Sequence, residues 1–260
     1  MRKTNTKILL RQIQRNPSLA EKFHDLTKNE DLAVFTAKDL KKFPDSWIKI
    51  HFKTYPRFRA FKPQLSKKSN YLIEIINKRI STRTFTRKAI SYETFCSLII
   101  NSAGINRFTD NIDDSRRAYP SAGARYPLEL YALVMNVEGL QKGLYHYNVK
   151  ENLLEMLIEE DVWPYVYKSF GGDMSLKNAA VIFIISGTLM RTSVKYQNRG
   201  YRYMCIESGH IAQNICLLAT ESNLGVYTLG GFIDDQLLDL LDLSVQNTEF
   251  PLYTIAVGQK

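Results

Sequence analysis

The sequence predicts an α+β layer structure rather than a doubly wound βαβ array. Three observations carry this. Helical and strand-like segments alternate irregularly along the 260 residues. The stretch AAVIFIISG is apolar at every alternate position of both faces until its final residues, as a strand covered on both sides must be. The segment YRYMCIESGHIAQNICLLATESNL is apolar around most of a helical circumference, which places it at the centre of a domain or in a subunit interface.

The elements follow in order. Residues 1–45 read as helical, with apolar positions Ile8, Leu9 and Ile13, then Leu19, Phe23 and Leu26, interrupted near Pro17. Residues 47–65 mix aromatics and cations around Pro56 and Pro63 and read as an extended arm. SNYLIEIINKRI returns to helical spacing, with Leu72, Ile75, Ile76 and Ile80 on one side. A second helix starts behind Ser91 as N-cap, with Glu93 in its first turn. Strands are expected at 128–137, at 144–148 and 153–158 as a hairpin, and at 179–186. The long helix then leads to the strand GVYTL, the pair Gly230-Gly231, a helix opened by Asp234 or Asp235, and the strand PLYTIAVG. The expected division is a basic helical extension and arm over 1–69, and a main domain over 70–260.

Charge separates the same two parts. Residues 1–70 carry 17 Lys and Arg against 6 Asp and Glu, and the remainder 18 against 20, within a formal net charge of +9. The basic character therefore belongs to the N-terminal quarter, which argues for an acidic peptide or acidic partner protein there and against nucleic acid. An arm that wraps its own dimer is the plainer alternative. Cys96, Cys205 and Cys216 form no CxxC pair and read as reduced, mostly buried thiols. The apolar run behind Arg2 and Lys3 is only three residues long, and AAVIFIISG is too short for a bilayer, so a cytoplasmic protein with no membrane partner is expected.

Four constellations could carry chemistry. Arg79, Ser81 and Arg83 alternate in RISTR, so an extended turn could aim two guanidiniums and a hydroxyl at one phosphate. A solvated basic turn is the plainer reading. Gly230 and Gly231, between a strand and a helix, could bring backbone N–H groups close to a ligand, or simply make a tight turn; they are not a GxGxxG fingerprint. Lys195 and Tyr196 follow the most buried strand, in what reads as a loop, where an ammonium would favour phenolate and make a proton-transfer pair. An exposed basic loop is the alternative. Glu207 and His210 form an ExxH on the long helix, but with no second such motif and only four histidines they read as polar contacts in a packed interface, and no metal is expected.

Taken in order, RISTRTF, YPSAGARYPLELYALVMNVEGLQKGLYHYN, KYQNRGYRYMCIESGHIAQNICLLATESNLG, LGGFIDD and FPLYTIAVG resemble the nitroreductase-like flavoproteins, in the branch of the SagB-type dehydrogenases, the azoline oxidases of ribosomally made peptides. The resemblance runs from about Tyr71 to Gly258. It implies the α+β, FMN-dependent nitroreductase fold, a central mostly antiparallel sheet flanked by helices, as a domain-entwined homodimer, with FMN as cofactor. It gives the FMN phosphate to Arg79, Ser81 and Arg83. Ile80 stands where many relatives have another cation, and Lys260 is the C-terminal cation that could reach the phosphate. Pro120, Ser121, Ala122 and Gly123 would line the flavin, usually from the partner subunit, and Gly230 and Gly231 would offer N–H groups to its ring. Lys195 and Tyr196 match the family's catalytic Lys-Tyr pair. The implied activity is oxidation of a thiazoline or oxazoline to its azole. An NAD(P)H-dependent reductase of nitro, quinone or dehydroamino-acid substrates, and a flavin-stabilised scaffold subunit, stand beside it.

Overall fold

A computed structural model describes residues 17–30, 32, 61–64, 70–243 and 249–260. The arm expected over 47–65 falls almost wholly outside these residues, as does most of the helical reading of 1–45. Within that stretch α1, Leu19–Leu26, is a helix closed by a capping box: Ser18 Oγ accepts from Glu21 N–H at 3.3 Å, and the Glu21 carboxylate accepts from Ser18 N–H at 2.7 Å. Two donors that no helical carbonyl can reach are satisfied reciprocally. The next two helices, α2 (Tyr71–Lys78) and α3 (Tyr92–Ala103), begin behind side-chain caps from Asn70 and Ser91. Of the four apolar residues expected on one side of α2, Ile75 is buried, while Leu72, Ile76 and Ile80 are exposed in the single chain.

A two-stranded ribbon of β1 (Ile105–Arg107) and β2 (Arg116–Arg117) precedes the main sheet. That sheet comprises β3 (Leu128–Val134), β4 (Gly143–Asn148), β5 (Leu153–Ile158), β6 (Val181–Thr188), β7 (Gly225–Leu229) and β8 (Glu249–Gly258). Its order is β5-β4-β3-β6-β8-β7, and every neighbouring pair is antiparallel. The strand expected over 128–137 ends at Val134, where the chain turns and Val137 bridges to Ile90. Helices α4 (Trp163–Ser169), α5 (Leu189–Tyr196), α6 (Arg199–Glu221) and α7 (Asp234–Leu240) complete the described elements.

The unbroken apolarity of β6 now has its cause. Val181, Phe183 and Ile185 face a core shared with α3 and α6, where Phe183 stacks on Phe95 at 6.0 Å. Ile182 and Ile184 face the opposite core, with Val166 of α4 and Leu237 of α7. A strand sandwiched between helical layers has no wet face, so the period-two alternation disappears. The central strand is thereby a rigid rail, and α5 is launched directly from its end. The long helix packs as its pattern predicts, with Met204, Ile211, Ile215 and Ala219 buried against the sheet. The expectation of mostly buried thiols is corrected in part: Cys216 is buried and Cys96 half-buried, but Cys205 is exposed.

Candidate cofactor and catalytic site

Arg79 directly follows α2, and its guanidinium reaches Ser81 Oγ at 3.5 Å. The two residues line a cavity of about 170 Å³ together with Gln213, Cys216, Tyr227 and Thr228. Backbone pairing sets this turn in place: Thr82 N–H donates to Val226 O at 3.0 Å, and Thr86 N–H to Gln259 O at 2.8 Å. The turn therefore continues along the β7–β8 edge, with exposed Lys260 beside Gln259. Burial pushes the Cys216 thiol up to about 11 despite nearby Arg79, so it stays a neutral wall at physiological pH. Arg83 does not line the cavity. Its guanidinium lies 5.5 Å from the centroid of Tyr227, an aromatic wall that also stacks on Phe85. The RISTR triplet is thus split into a cavity pair and an outer cation.

The PSAG segment adopts an unusual backbone. Gly123 has φ 58° within a short 3-10 turn, and Ala124 and Tyr126 follow at φ 52° and 44°. Left-handed conformations at Ala and Tyr cost on the order of 1 kcal/mol each, so surrounding contacts must hold them. Tyr126 N–H donates to Ser121 Oγ at 2.9 Å, and the Tyr126 hydroxyl accepts from Arg117 N–H at 3.2 Å. The Arg117 guanidinium sits 5.2 Å over the Tyr126 ring. From α6, Glu207 Oε1 accepts from Ala122 N–H at 2.9 Å. Glu207 is 2% exposed, and burial raises its pKa although the Ala122 N–H opposes this. Pro120 is exposed ahead of the turn.

Lys195 and Tyr196 lie in the last turn of α5, which corrects the expectation of a loop. The helix stops there because Gln197 turns to φ 50°, ψ −138°. Lys195 Nζ stands 5.4 Å from the Tyr196 ring centroid, and Tyr203 meets that ring edge-on at 5.0 Å. Both side chains converge on the PSAG glycine: a Cβ on Gly123 would come within 2.5 Å of Tyr196 Oη and 2.9 Å of Lys195 Nζ. Residues 72 positions apart in the chain thus form one contact. The other end of α5 is tied to the sheet, where Arg191 pairs with Glu129 and its carbonyl accepts from Arg125 Nε at 2.7 Å. Burial would raise the Glu129 carboxyl, but hydrogen bonds from His146 and Arg191 outweigh it and hold the group below its ordinary range.

Gly230 and Gly231 connect β7 to α7, two residues beyond Thr228 of the cavity wall. Both are exposed, and a Cβ on Gly230 would meet nothing within 4 Å. Neither has a left-handed φ, so the open approach to their backbone, not turn geometry, is what glycine provides here. The residues present fit the FMN phosphate at the cavity, which offers a guanidinium and hydroxyls, while the cradle at Gly123 is closed by Tyr196 Oη and Lys195 Nζ. Sequence reasoning did not anticipate that Glu207 anchors the PSAG turn or that Arg125 and Glu129 hold α5. The one available signal was the carboxylate Glu207 between the apolar positions Met204 and Ile211 of the long helix, which spacing alone could not connect to Ala122.

The family model described as the nitroreductase family matches residues 76–259. A protein of Methanocaldococcus jannaschii named as a nitroreductase is 31% identical over 189 residues, covering 73% of this chain and 91% of its own length. The microcin B17-processing protein McbC of Escherichia coli is 28% identical over 173 residues, covering 64% of this chain and 61% of McbC. A chain of the E. coli microcin synthetase McbBCD complex, solved with truncated pro-MccB17 bound, superposes with a TM-score of 0.65 at 22% identity, covering 99% of this chain and 94% of that one. At that identity the superposition shows the fold. On the family match and the M. jannaschii relative, the chain belongs to the nitroreductase family.

Proposed function

We propose that the protein is an FMN-dependent dehydrogenase that oxidises azolines to azoles in a ribosomally made peptide. Family membership makes it an oxidoreductase. The observation that carries the finer reading is the convergence of Lys195 and Tyr196 on Gly123, a proton-handling pair set against the segment expected to line the flavin. Similarity to a microcin-processing protein supports a peptide substrate.

When bound, FMN supplies the two-electron acceptor. Arg79 and Ser81 hold its phosphate in their cavity, with Arg83 and Lys260 as outer cations. Pro120, Ser121, Ala122 and Gly123 form the slot for its ring, and Gly230 and Gly231 turn N–H groups toward it. In the azoline, a proton leaves the ring carbon that bears the backbone carbonyl, a hydride leaves the adjacent ring carbon, and the remaining electron pair closes the C=C bond. Tyr196 Oη or Lys195 Nζ takes that proton, and the other of the pair adjusts its charge.

The exposed apolar side of α2, with Leu72, Ile76 and Ile80, supports a homodimer that covers it. The basic charge of residues 1–69 supports an acidic peptide or partner protein. None of the described helices is long and apolar enough to cross a membrane, and we place the protein in the cytoplasm. The test is to purify the protein, identify the released cofactor, and follow oxidation of an azoline peptide by the parent, Lys195→Ala and Tyr196→Phe proteins loaded with FMN. Oxidation at the parent rate by both variants overturns the assigned roles. Rapid bleaching of bound flavin by NADPH without peptide would favour the reductive alternative.

A further inference from the structure

Residues 18–30 lie outside the region matched by the family model, yet they touch the rest of the chain at two places that border the candidate site. At one end, Ala20 N–H donates to Asn198 Oδ1 at 3.2 Å. Asn198 is two residues past Tyr196, where α5 has just been broken by the left-handed Gln197. At the other end, Asn29 N–H donates to Asp234 Oδ2 at 2.9 Å and Asn29 Nδ2 to Phe232 O at 3.1 Å, immediately beyond Gly230-Gly231. Lys28 pairs with Asp235 at 3.0 Å, and Leu32 is the residue nearest to a side chain built on Gly231, at 3.8 Å.

Between the two ends, α1 is locked to the domain by a buried ring cluster. His24 is 4% exposed, stacks on Phe250 at 4.2 Å, and bonds through Nδ1 to the Tyr201 hydroxyl at 3.0 Å. A helix rises 1.5 Å per residue, so α1 carries the chain roughly 9 Å from Ala20 to Leu26, and a short non-helical step from its C-cap Thr27 leads to Asn29. Such an element transmits position: neither end can shift without moving the other or breaking the His24 cluster.

We propose that residues 18–30 form a strap that fixes the Lys195-Tyr196 end of α5 relative to the Gly230-Gly231 turn, with Asn198 and Asn29 as its positioning residues. The catalytic consequence rests on the function proposed above; the mechanical coupling does not. The sheet fixes where α5 starts, at the end of β6, and where the Gly230-Gly231 turn starts, at the end of β7, while the strap ties the far, Lys195-Tyr196 end of α5 to the residues just beyond that turn.

The test is hydrogen exchange on the full chain, comparing the parent with Asn198→Ala, Asn198→Asp and Asn29→Ala. Removing the Asn198 acceptor should speed exchange about fivefold or more at residues 197–201 and also at 230–233, although the two lie far apart in sequence. Asn198→Asp keeps an oxygen for Ala20 N–H and should return both regions to within about twofold of the parent. Asn29→Ala should act reciprocally and speed exchange at 197–201. Changes confined to each variant's own end overturn the strap. In azoline oxidation, Asn198→Ala should lower kcat about tenfold at unchanged KM, with recovery in Asn198→Asp. If the parent oxidises no azoline peptide, the proposed function fails, while the exchange measurement still decides the strap.

Discussion

Glu207 Oε1 and Ala122 N–H are joined at 2.9 Å across 85 positions of sequence, and through this bond the central helix holds the PSAG turn. The carboxylate reaches the residue just before Gly123, so it sits one peptide away from the contact with Lys195 and Tyr196. A buried acceptor in this role fixes a backbone that Ala124 and Tyr126 would not adopt unaided.

Removing that acceptor should therefore be costly. Glu207→Ala leaves the Ala122 N–H without its partner and is expected to lower stability by about 1–3 kcal/mol. Glu207→Gln keeps an acceptor and should be far milder. Because burial raises the Glu207 pKa in the folded protein, the stability it contributes is present at low pH and lost as pH rises through the folded value. Chemical denaturation across a pH series should show the parent losing stability on the alkaline side more steeply than Glu207→Gln.

Gly123→Ala tests the cradle. The substitution places a methyl 2.5 Å from Tyr196 Oη in a left-handed backbone. The conformational penalty is about 1 kcal/mol, while the collision displaces the Lys-Tyr pair directly. We expect the thermal midpoint to fall by a few degrees and azoline oxidation to fall by about a hundredfold. Equal activity of the variant and the parent would separate the pair from the PSAG turn.

The two arginines of RISTR should behave differently. Arg79 lines the cavity and Arg83 covers the outer face of Tyr227. Loss of a charge-assisted contact to phosphate predicts about a tenfold or greater weakening of FMN binding in Arg79→Ala, and less than about threefold in Arg83→Ala. Fluorescence titration of the apoprotein with FMN reads both. The reverse order would place the phosphate outside the cavity.

Acid should loosen α1. Burial, reinforced by Lys28, lowers His24 from 6.5 to about 4, so the ring is neutral in the folded protein where the unfolded chain would already be charged. Its contribution is fully present above pH 6.5 and is lost as pH falls toward 4, an effect of about 3 kcal/mol in total. Exchange of amides 19–26 at pH 7 and pH 4.5, corrected for intrinsic rates, should reveal the loosening. His24→Phe should remove most of its pH dependence.

Much of the architecture was legible in the sequence because it depends on short-range pattern. The cap at Ser91, the hairpin over 143–158, the doubly buried β6 and the long α6 all follow from local chemistry and periodicity. The family, too, was legible, since its motifs survive as contiguous words in a set order. Other features escaped for physical reasons. Lys195 and Tyr196 read as a loop because RTSVKYQNRG is polar, but α5 is an exposed helix whose apolar support is slight and whose end is set by Gln197. Arg79 and Arg83 look equivalent in RISTR, and only the pairing of Thr82 with Val226 sends one into the cavity and the other over Tyr227.

What the sequence determined by itself was most of the strands of the main sheet, the long α6, the concentration of basic charge in the N-terminal quarter, and the family. Tertiary structure decided which residues meet. Periodicity reports the environment of a side chain relative to its own helix or strand, and it carries no term for the distance between elements. The convergence of Gly123, Lys195 and Tyr196, the Glu207 anchor beneath them, and the bridge from Ala20 to Asn198 are all contacts between elements, and they exist only once the sheet and α6 have fixed where those elements lie.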